Sequence, residues 1–178
     1  LERAVQHALP AARKGSQTAM ARATAHLKSL VAYAHDDGVR HEAQIRLALL
    51  LEKASERNDA SPLLKEAVER YSAALHIDPL SVTAASGLAR TASRSNDTEG
   101  MIDAALSLAE LSANGPARGR YYFDAADLLV GGPTDAQRDR KARAASLLEK
   151  CIDADPNLVD AIVRLAILVS FPSISLVL

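Results

Sequence analysis

The densest run of groups able to do chemistry is His35-Asp36-Asp37-Gly38-Val39-Arg40-His41-Glu42. Imidazoles and carboxylates this close together could ligate a divalent cation, and His–Asp pairs serve metal-dependent hydrolases. Such a centre draws further His and Asp ligands from surrounding helices, and no matching motif stands elsewhere in the chain. The run also lies where one helix must end and another begin. Asp caps a helix start and Gly ends a helix for ordinary reasons. The turn reading is therefore preferred; a metal hydrolase built on His35, Asp36 and His41 is the outlying alternative.

Other reactive groups read the same way. Cys151 falls at a small-residue position inside a helix beside Leu147 and Leu148, the setting of an inert buried thiol. Gly131-Gly132-Pro133 lacks the lysine and the preceding strand of a phosphate loop. The basic stretch Arg138–Arg143 is interspersed with Asp135 and Asp139 and reads as a solvated helix face. No catalytic residue, metal or cofactor is assigned, and no enzyme activity is expected.

The elements that must position these groups are helices. Of 178 residues, 48% are hydrophobic but only 3% aromatic, with no Trp and two Phe. Ala is abundant, and Ala-rich, aromatic-poor sequence favours closely packed helices over a sheet. Punctuation at Gly15-Ser16, Asp36-Asp37-Gly38, residues 58–62, Ser95-Asn96-Asp97, Asn114-Gly115-Pro116, Gly131-Gly132-Pro133 and Asp155-Pro156 marks out about eight helices. Ser61-Pro62 reads as an N-cap followed by Pro at the first helical position. Thr134 with Gln137, and more weakly Asn96 with Glu99, read as capping boxes. Pro10 should kink or restart the first helix.

These helices repeat. Ala67, Tyr71, Ala74 and Pro79 recur with the same offsets at Ala104, Leu108, Leu111, Pro116 and at Ala144, Leu148, Cys151, Pro156. A second pattern follows each Pro: Ala85-Leu88-Ala89-Ala92, Tyr122-Ala125-Ala126-Leu129 and Ile162-Leu165-Ala166-Val169. A fourth copy is Gln44-Leu47-Ala48-Leu51, preceded by Asp37-Gly38 in place of Asp-Pro. The pattern resembles the tetratricopeptide repeat, from about Ala23 to Val169. It departs from that family in length: the repeat prolines Pro79, Pro116 and Pro156 stand 37 and 40 residues apart, against about 34. The surplus is close to whole helical turns, so longer helices rather than loops are expected.

The resemblance implies an all-α, right-handed superhelical solenoid of helix-turn-helix hairpins. Residues 1–178 form one such domain, with hairpins near 1–37, 38–79, 80–116 and 117–156 and an unfinished repeat at 157–178. In the first hairpin, Leu1–Arg13 and Ser16–Ala34 are the two helices. Small residues Ala48, Ala67, Ala89, Ala104, Ala126, Ala144 and Ala166 fall where helices cross.

The resemblance also implies a non-catalytic protein–protein interaction module or scaffold whose concave groove holds an extended peptide or a partner helix. The groove residues it implies are Ile45, Leu49, Ser86, Arg90, Arg120, Phe123 and Asp127. Arg90 and Arg120 flanking Phe123 would suit acidic and apolar side chains together. The lysine and asparagine set that clamps chaperone C-termini is not matched. A regulatory or sensor region of a larger enzyme-containing protein is the second reading.

Composition bounds the rest. Basic and acidic side chains number 21 and 22 and intermingle, for a net charge of −1, which offers no basic patch for DNA or RNA. The apolar end, residues 165–178, is broken by Pro172 and falls short of a membrane span. It is instead a candidate surface for self-association. The chain opens without an initial Met or a basic leader, which is the expectation for a segment of a longer protein, and its Ala-, Arg- and Asp-rich style points to a bacterial one. The cytoplasm is the expected compartment, or the periplasm if a leader has been removed.

Overall fold

A computed structural model describes the backbone of residues 2–58, 61–131 and 137–170, and the side chains of 18–56, 62–131 and 138–170. Among the described residues there are eight helices and no strand: α1 (Glu2–Tyr33), α2 (Asp37–Asn58), α3 (Ser61–Ile77), α4 (Val82–Ser95), α5 (Thr98–Leu111), α6 (Pro116–Val130), α7 (Gln137–Ala154) and α8 (Val159–Ser170). None of them is long and apolar enough to cross a membrane. The helices fall into two compact units, residues 1–78 and 79–178.

Local chemistry explains most boundaries. Asp36 accepts a 2.8 Å hydrogen bond from the Val39 N–H, so the first carboxylate of the His-Asp run caps α2. Ser81 accepts from Ala84 N–H at 3.3 Å to start α4. Asn96 ends α4 in the left-handed region (φ 53°), a conformation that Asn tolerates. Asp97, one residue further on, accepts from Gly100 N–H at 3.2 Å and starts α5. The expected Asn96–Glu99 capping box is thus displaced by one residue: Asn96 closes the earlier helix, and the carboxylate of Asp97 opens the next. Gly115, at φ 135°, precedes Pro116 at the head of α6, where the missing Pro N–H costs nothing. The expected capping box at Thr134–Gln137, the cap at Ser61 and the apolar tail beyond Ser170 lie outside the described residues or side chains.

The break expected at Gly15-Ser16 is absent: α1 runs from Glu2 to Tyr33 as one helix, so residues 1–37 are not a hairpin. A glycine inside a helix costs only about 1 kcal/mol, too little to end a helix without a turn-forming neighbour.

In unit 1, α2 packs against both α1 and α3. Leu47, Leu51 and Ala67 form its buried centre, with Leu27, Val31 and Leu63 against them. Lys28 on α1 pairs with Glu66 on α3 at 2.8 Å, so α1 and α3 lie side by side with α2 across them.

In unit 2, consecutive helices from α4 to α8 pack on one another, around a core that includes Ile102, Tyr122, Leu129, Leu148, Cys151 and Ala161. Two ion pairs skip a helix. Glu99 on α5 meets Arg140 on α7, and Asp127 on α6 meets Arg164 on α8. Helices here therefore alternate between two layers, with α5 and α7 in one and α6 and α8 in the other.

The small-residue crossings hold at Ala48, Ala67, Ala104, Ala126 and Ala144, all fully buried. Ala89 is half-buried and Ala166 exposed. Close approaches also fall at glycines. A Cβ on Gly100 would lie 3.0 Å from the Ala92 Cβ, and one on Gly119 would lie 2.9 Å from the Asp155 Cβ. Neither contact leaves room for a side chain.

Candidate functional site

The front of α6 carries a stripe at helical spacing: Arg120, Phe123, Asp124 and Asp127. Arg120 Nε is 3.1 Å from Asp124 Oδ1, and its guanidinium lies 5.4 Å from the centroid of the Phe123 ring. Phe123 is half-buried, one side against the core of unit 2 and the other under Arg120. Asp127, one turn beyond Asp124, is paired with Arg164 of α8. Burial raises the Asp124 carboxyl above the ordinary aspartate range; Arg120 opposes this and Asp127 adds to it. The stripe thus offers one aromatic edge between two guanidinium–carboxylate pairs. Such pairs can exchange their own carboxylate for one on a ligand, because exposed ion pairs are individually weak.

Of the residues expected in a groove, Arg120, Phe123 and Asp127 come together here. Arg90 is exposed and Ser86 half-buried, both on α4. Ile45 is 6% exposed and belongs to the interior of unit 1, so it offers a ligand no surface and leaves the groove set. Its neighbours Ala43, Gln44, Leu47 and Ala48 are also buried. With helices on two sides, α2 buries a wider arc than a single apolar stripe. Leu49, in contrast, is 44% exposed and lines a groove between α1 and α2. Arg164 was not among the expected residues. Its signal was available one turn past Asp160 on the last helix.

A second polar cluster was not anticipated. The Tyr122 hydroxyl donates to Glu110 Oε1 at 2.6 Å, and Arg118 Nη2 donates to Glu110 Oε2 at 3.1 Å. Arg118 and Lys150 approach the Tyr122 ring at 5.8 and 5.6 Å. The four residues come from α5, α6 and α7, and with Asn114 and Asp153 they line a cavity of about 370 Å³. The Tyr122 hydrogen bond holds Glu110 below the ordinary carboxylate range; burial opposes this, and Arg118 and Lys150 assist it. Burial, with the bond to Glu110, raises the Tyr122 phenol. All these shifts favour neutral Tyr against charged Glu, the arrangement of a structural latch rather than of a general base. Its sequence signal was Arg118 standing four residues before the aromatic Tyr122, on the same helix face.

The acids of the opening run are taken up by capping and pairing. Asp36 caps α2, Asp37 pairs with Arg40, and His41 Nε2 stands 4.0 Å from Asp78 Oδ2. Among the described residues no group of three or more His, Cys, Asp or Glu side chains converges on a point that could hold a metal ion. Cys151 is fully buried, and burial raises its thiol above the ordinary range, the opposite of nucleophile activation. No protein-family model and no curated protein matches the chain.

Proposed function

We propose that this chain is a non-catalytic interaction scaffold, a tetratricopeptide-like stack of hairpins with a right-handed superhelical path. Its ligand is an extended peptide or a partner helix with acidic and apolar side chains. The observation that carries the reading is the Asp127–Arg164 pair, which ties α6 and α8 edge to edge in one layer. The Arg120–Phe123–Asp127 stripe of α6 thereby has α8 beside it rather than standing on an isolated helix. A preorganised pair of helices lowers the ordering cost of binding, and an aromatic flanked by guanidinium groups is a common anchor composition.

The test is affinity capture from lysate with the wild-type chain and with Arg90→Glu plus Arg120→Glu, quantified by mass spectrometry. Proteins retained by the wild type should be lost from the double variant. An unchanged set counts against this face.

Self-association is a second outcome this reading accommodates. On α8, Val159, Ile162, Val163, Ile167 and Val169 are all exposed, a row of branched aliphatics rare on a solvated helix. Light scattering over a concentration series should then show mass rising with concentration, and Val163→Lys should suppress the rise.

A further inference from the structure

The turn between α5 and α6 sets Asn114 directly before Gly115. An asparagine amide is an electrophile within reach of the backbone nitrogen of the next residue. A bond between that nitrogen and the side-chain carbonyl carbon closes a five-membered ring. Two conditions govern the closure. The nitrogen must be free of a hydrogen bond of its own, and no side chain may crowd it. Glycine meets the second condition, having no Cβ.

Three asparagines have described side chains, Asn96, Asn114 and Asn157, and all three are exposed. Exposure therefore does not separate them, but the next residue's N–H does. After Asn96, the Asp97 N–H donates to the Ala92 carbonyl at 2.9 Å, closing the end of α4. After Asn157, the Leu158 N–H donates to the Asp155 carbonyl at 3.2 Å. Asp97 and Leu158 also carry side chains next to the nitrogen. After Asn114, the Gly115 N–H makes no hydrogen bond among the described residues, and neither does the Asn114 amide. Gly115 is the N-cap of α6: its carbonyl enters the helix by accepting from the Gly119 N–H at 3.0 Å, while its nitrogen stays outside. A Cβ on Gly115 would meet nothing within 4 Å, so the nitrogen stands in open space.

Asn114 also lines the cavity of about 370 Å³ shared by α5, α6 and α7. The formal charges on that cavity balance, Glu110 and Asp153 against Arg118 and Lys150.

We propose that Asn114 is a self-modification site, at which the Gly115 nitrogen converts the side-chain amide to a carboxylate and turns this cavity acidic. The Gly115 N–H gives its proton to hydroxide and the nitrogen attacks Cγ of Asn114. The N–Cγ bond forms, the Cγ–Nδ2 bond breaks, and Nδ2 leaves as ammonia after taking a proton from water. A water molecule then opens the imide ring. Attack at Cγ gives aspartate; attack at the backbone carbonyl carbon gives isoaspartate, in which the main chain runs through the former side chain. No group is oxidised or reduced, and the only co-reactant consumed is water. Either product carries one new negative charge, so the cavity holds three carboxylates against two cations. Aspartate is accommodated where it forms, because the N-terminus of a helix favours negative charge. Isoaspartate adds a methylene to the α5–α6 connection and displaces Gly115 from its capping position. None of this depends on the scaffold reading.

The test incubates the full chain in mildly alkaline buffer and follows each asparagine by peptide mass spectrometry. Exchange of the amide NH₂ for OH at Asn114 should outpace that at Asn96 and Asn157 about fivefold or more. The modified peptide should separate into aspartyl and isoaspartyl forms, and the rate should rise with hydroxide concentration. In urea, Asn114 should react within about twofold of its folded rate, whereas Asn96 and Asn157 should speed up as their neighbours' hydrogen bonds are lost. An Asn114 that reacts only in urea is protected by the fold and overturns the proposal, as does faster conversion at Asn96 or Asn157 in the folded chain. Asn114→Gln should remove the acidic species that ion-exchange chromatography resolves from the aged wild type. Persistence of that species assigns the charge to another residue and overturns the site. Asn114→Asp supplies the product's charge directly and should lift the Glu110 carboxyl titration towards its ordinary value, read by NMR, because a like charge disfavours ionisation. A Glu110 titration identical to wild type would detach the new charge from the cavity and overturn its proposed effect there.

Discussion

Each unit ties two helices together with a tyrosine hydroxyl on a glutamate, in opposite settings. In unit 1, Tyr71 on α3 donates to Glu52 on α2 at 3.3 Å, with Tyr71 fully and Glu52 almost fully buried. In unit 2, Tyr122 on α6 donates to Glu110 on α5 at 2.6 Å, but the Glu110 carboxylate is exposed and shared with Arg118. The shorter bond is the one that matters less for stability. A carboxylate in water can replace a lost donor with solvent, whereas a buried one keeps its full desolvation cost. The same two residue types thus make an interior tie in one unit and a surface latch in the other.

Substitutions can break this contrast, beginning with the largest effect. Tyr71→Ala removes a fully buried ring as well as the donor to Glu52 and should cost about 3–5 kcal/mol by denaturant titration. Ala104→Leu asks whether unit 2 depends on packing as strictly as unit 1. Inserting a side chain at that fully buried position should cost about 1–3 kcal/mol, and an unchanged melting temperature would refute the crossing assigned there. Tyr71→Phe keeps the ring and isolates the buried hydroxyl, for about 1–3 kcal/mol. Tyr122→Phe should cost less than about 1 kcal/mol, because Glu110 returns to water and to Arg118. Equal costs for the two Phe variants would erase the contrast.

The smallest effect is a pH dependence. Glu110 has a folded-state pKa depressed below its ordinary 4.5, chiefly by the Tyr122 hydrogen bond. Its contribution is complete above that ordinary value and is lost as pH falls through the folded one. Tyr122→Phe removes the leading cause, so the fall in melting temperature below about pH 4.5 should be shallower than in wild type. Parallel curves for the two proteins would mean that the latch contributes nothing.

Much of the architecture was legible in the residues. The repeated Ala-Tyr-Ala-Pro and Ala-Leu-Ala-Ala spacings mark buried faces because close helix packing admits only small residues at fixed helical offsets. Ala67, Tyr71, Ala74, Ala85, Leu88 and Ala92 are indeed fully buried. Three things were not legible. Gly15 looked like a turn and is helical, because a local breaker loses when nothing pulls the chain away. Ile45 looked groove-facing and is interior, because periodicity gives a helix one apolar face but not the number of neighbours it meets. The approaches at Gly100 and Gly119 were hidden, because a glycine in sequence does not say whether it is needed for a turn or for space.

The sequence by itself determined that the chain is helical, where most helices stop, and most of the small residues that face inward. Those follow from local propensity, capping and period, all set within about one or two turns. Only the tertiary structure decided which charges meet. Asp127 with Arg164, Glu99 with Arg140 and Tyr71 with Glu52 lie 37, 41 and 19 residues apart. No local rule reaches that far, since such pairs exist only once the helices have been laid side by side. The open groove between α1 and α2 is a consequence of the same kind.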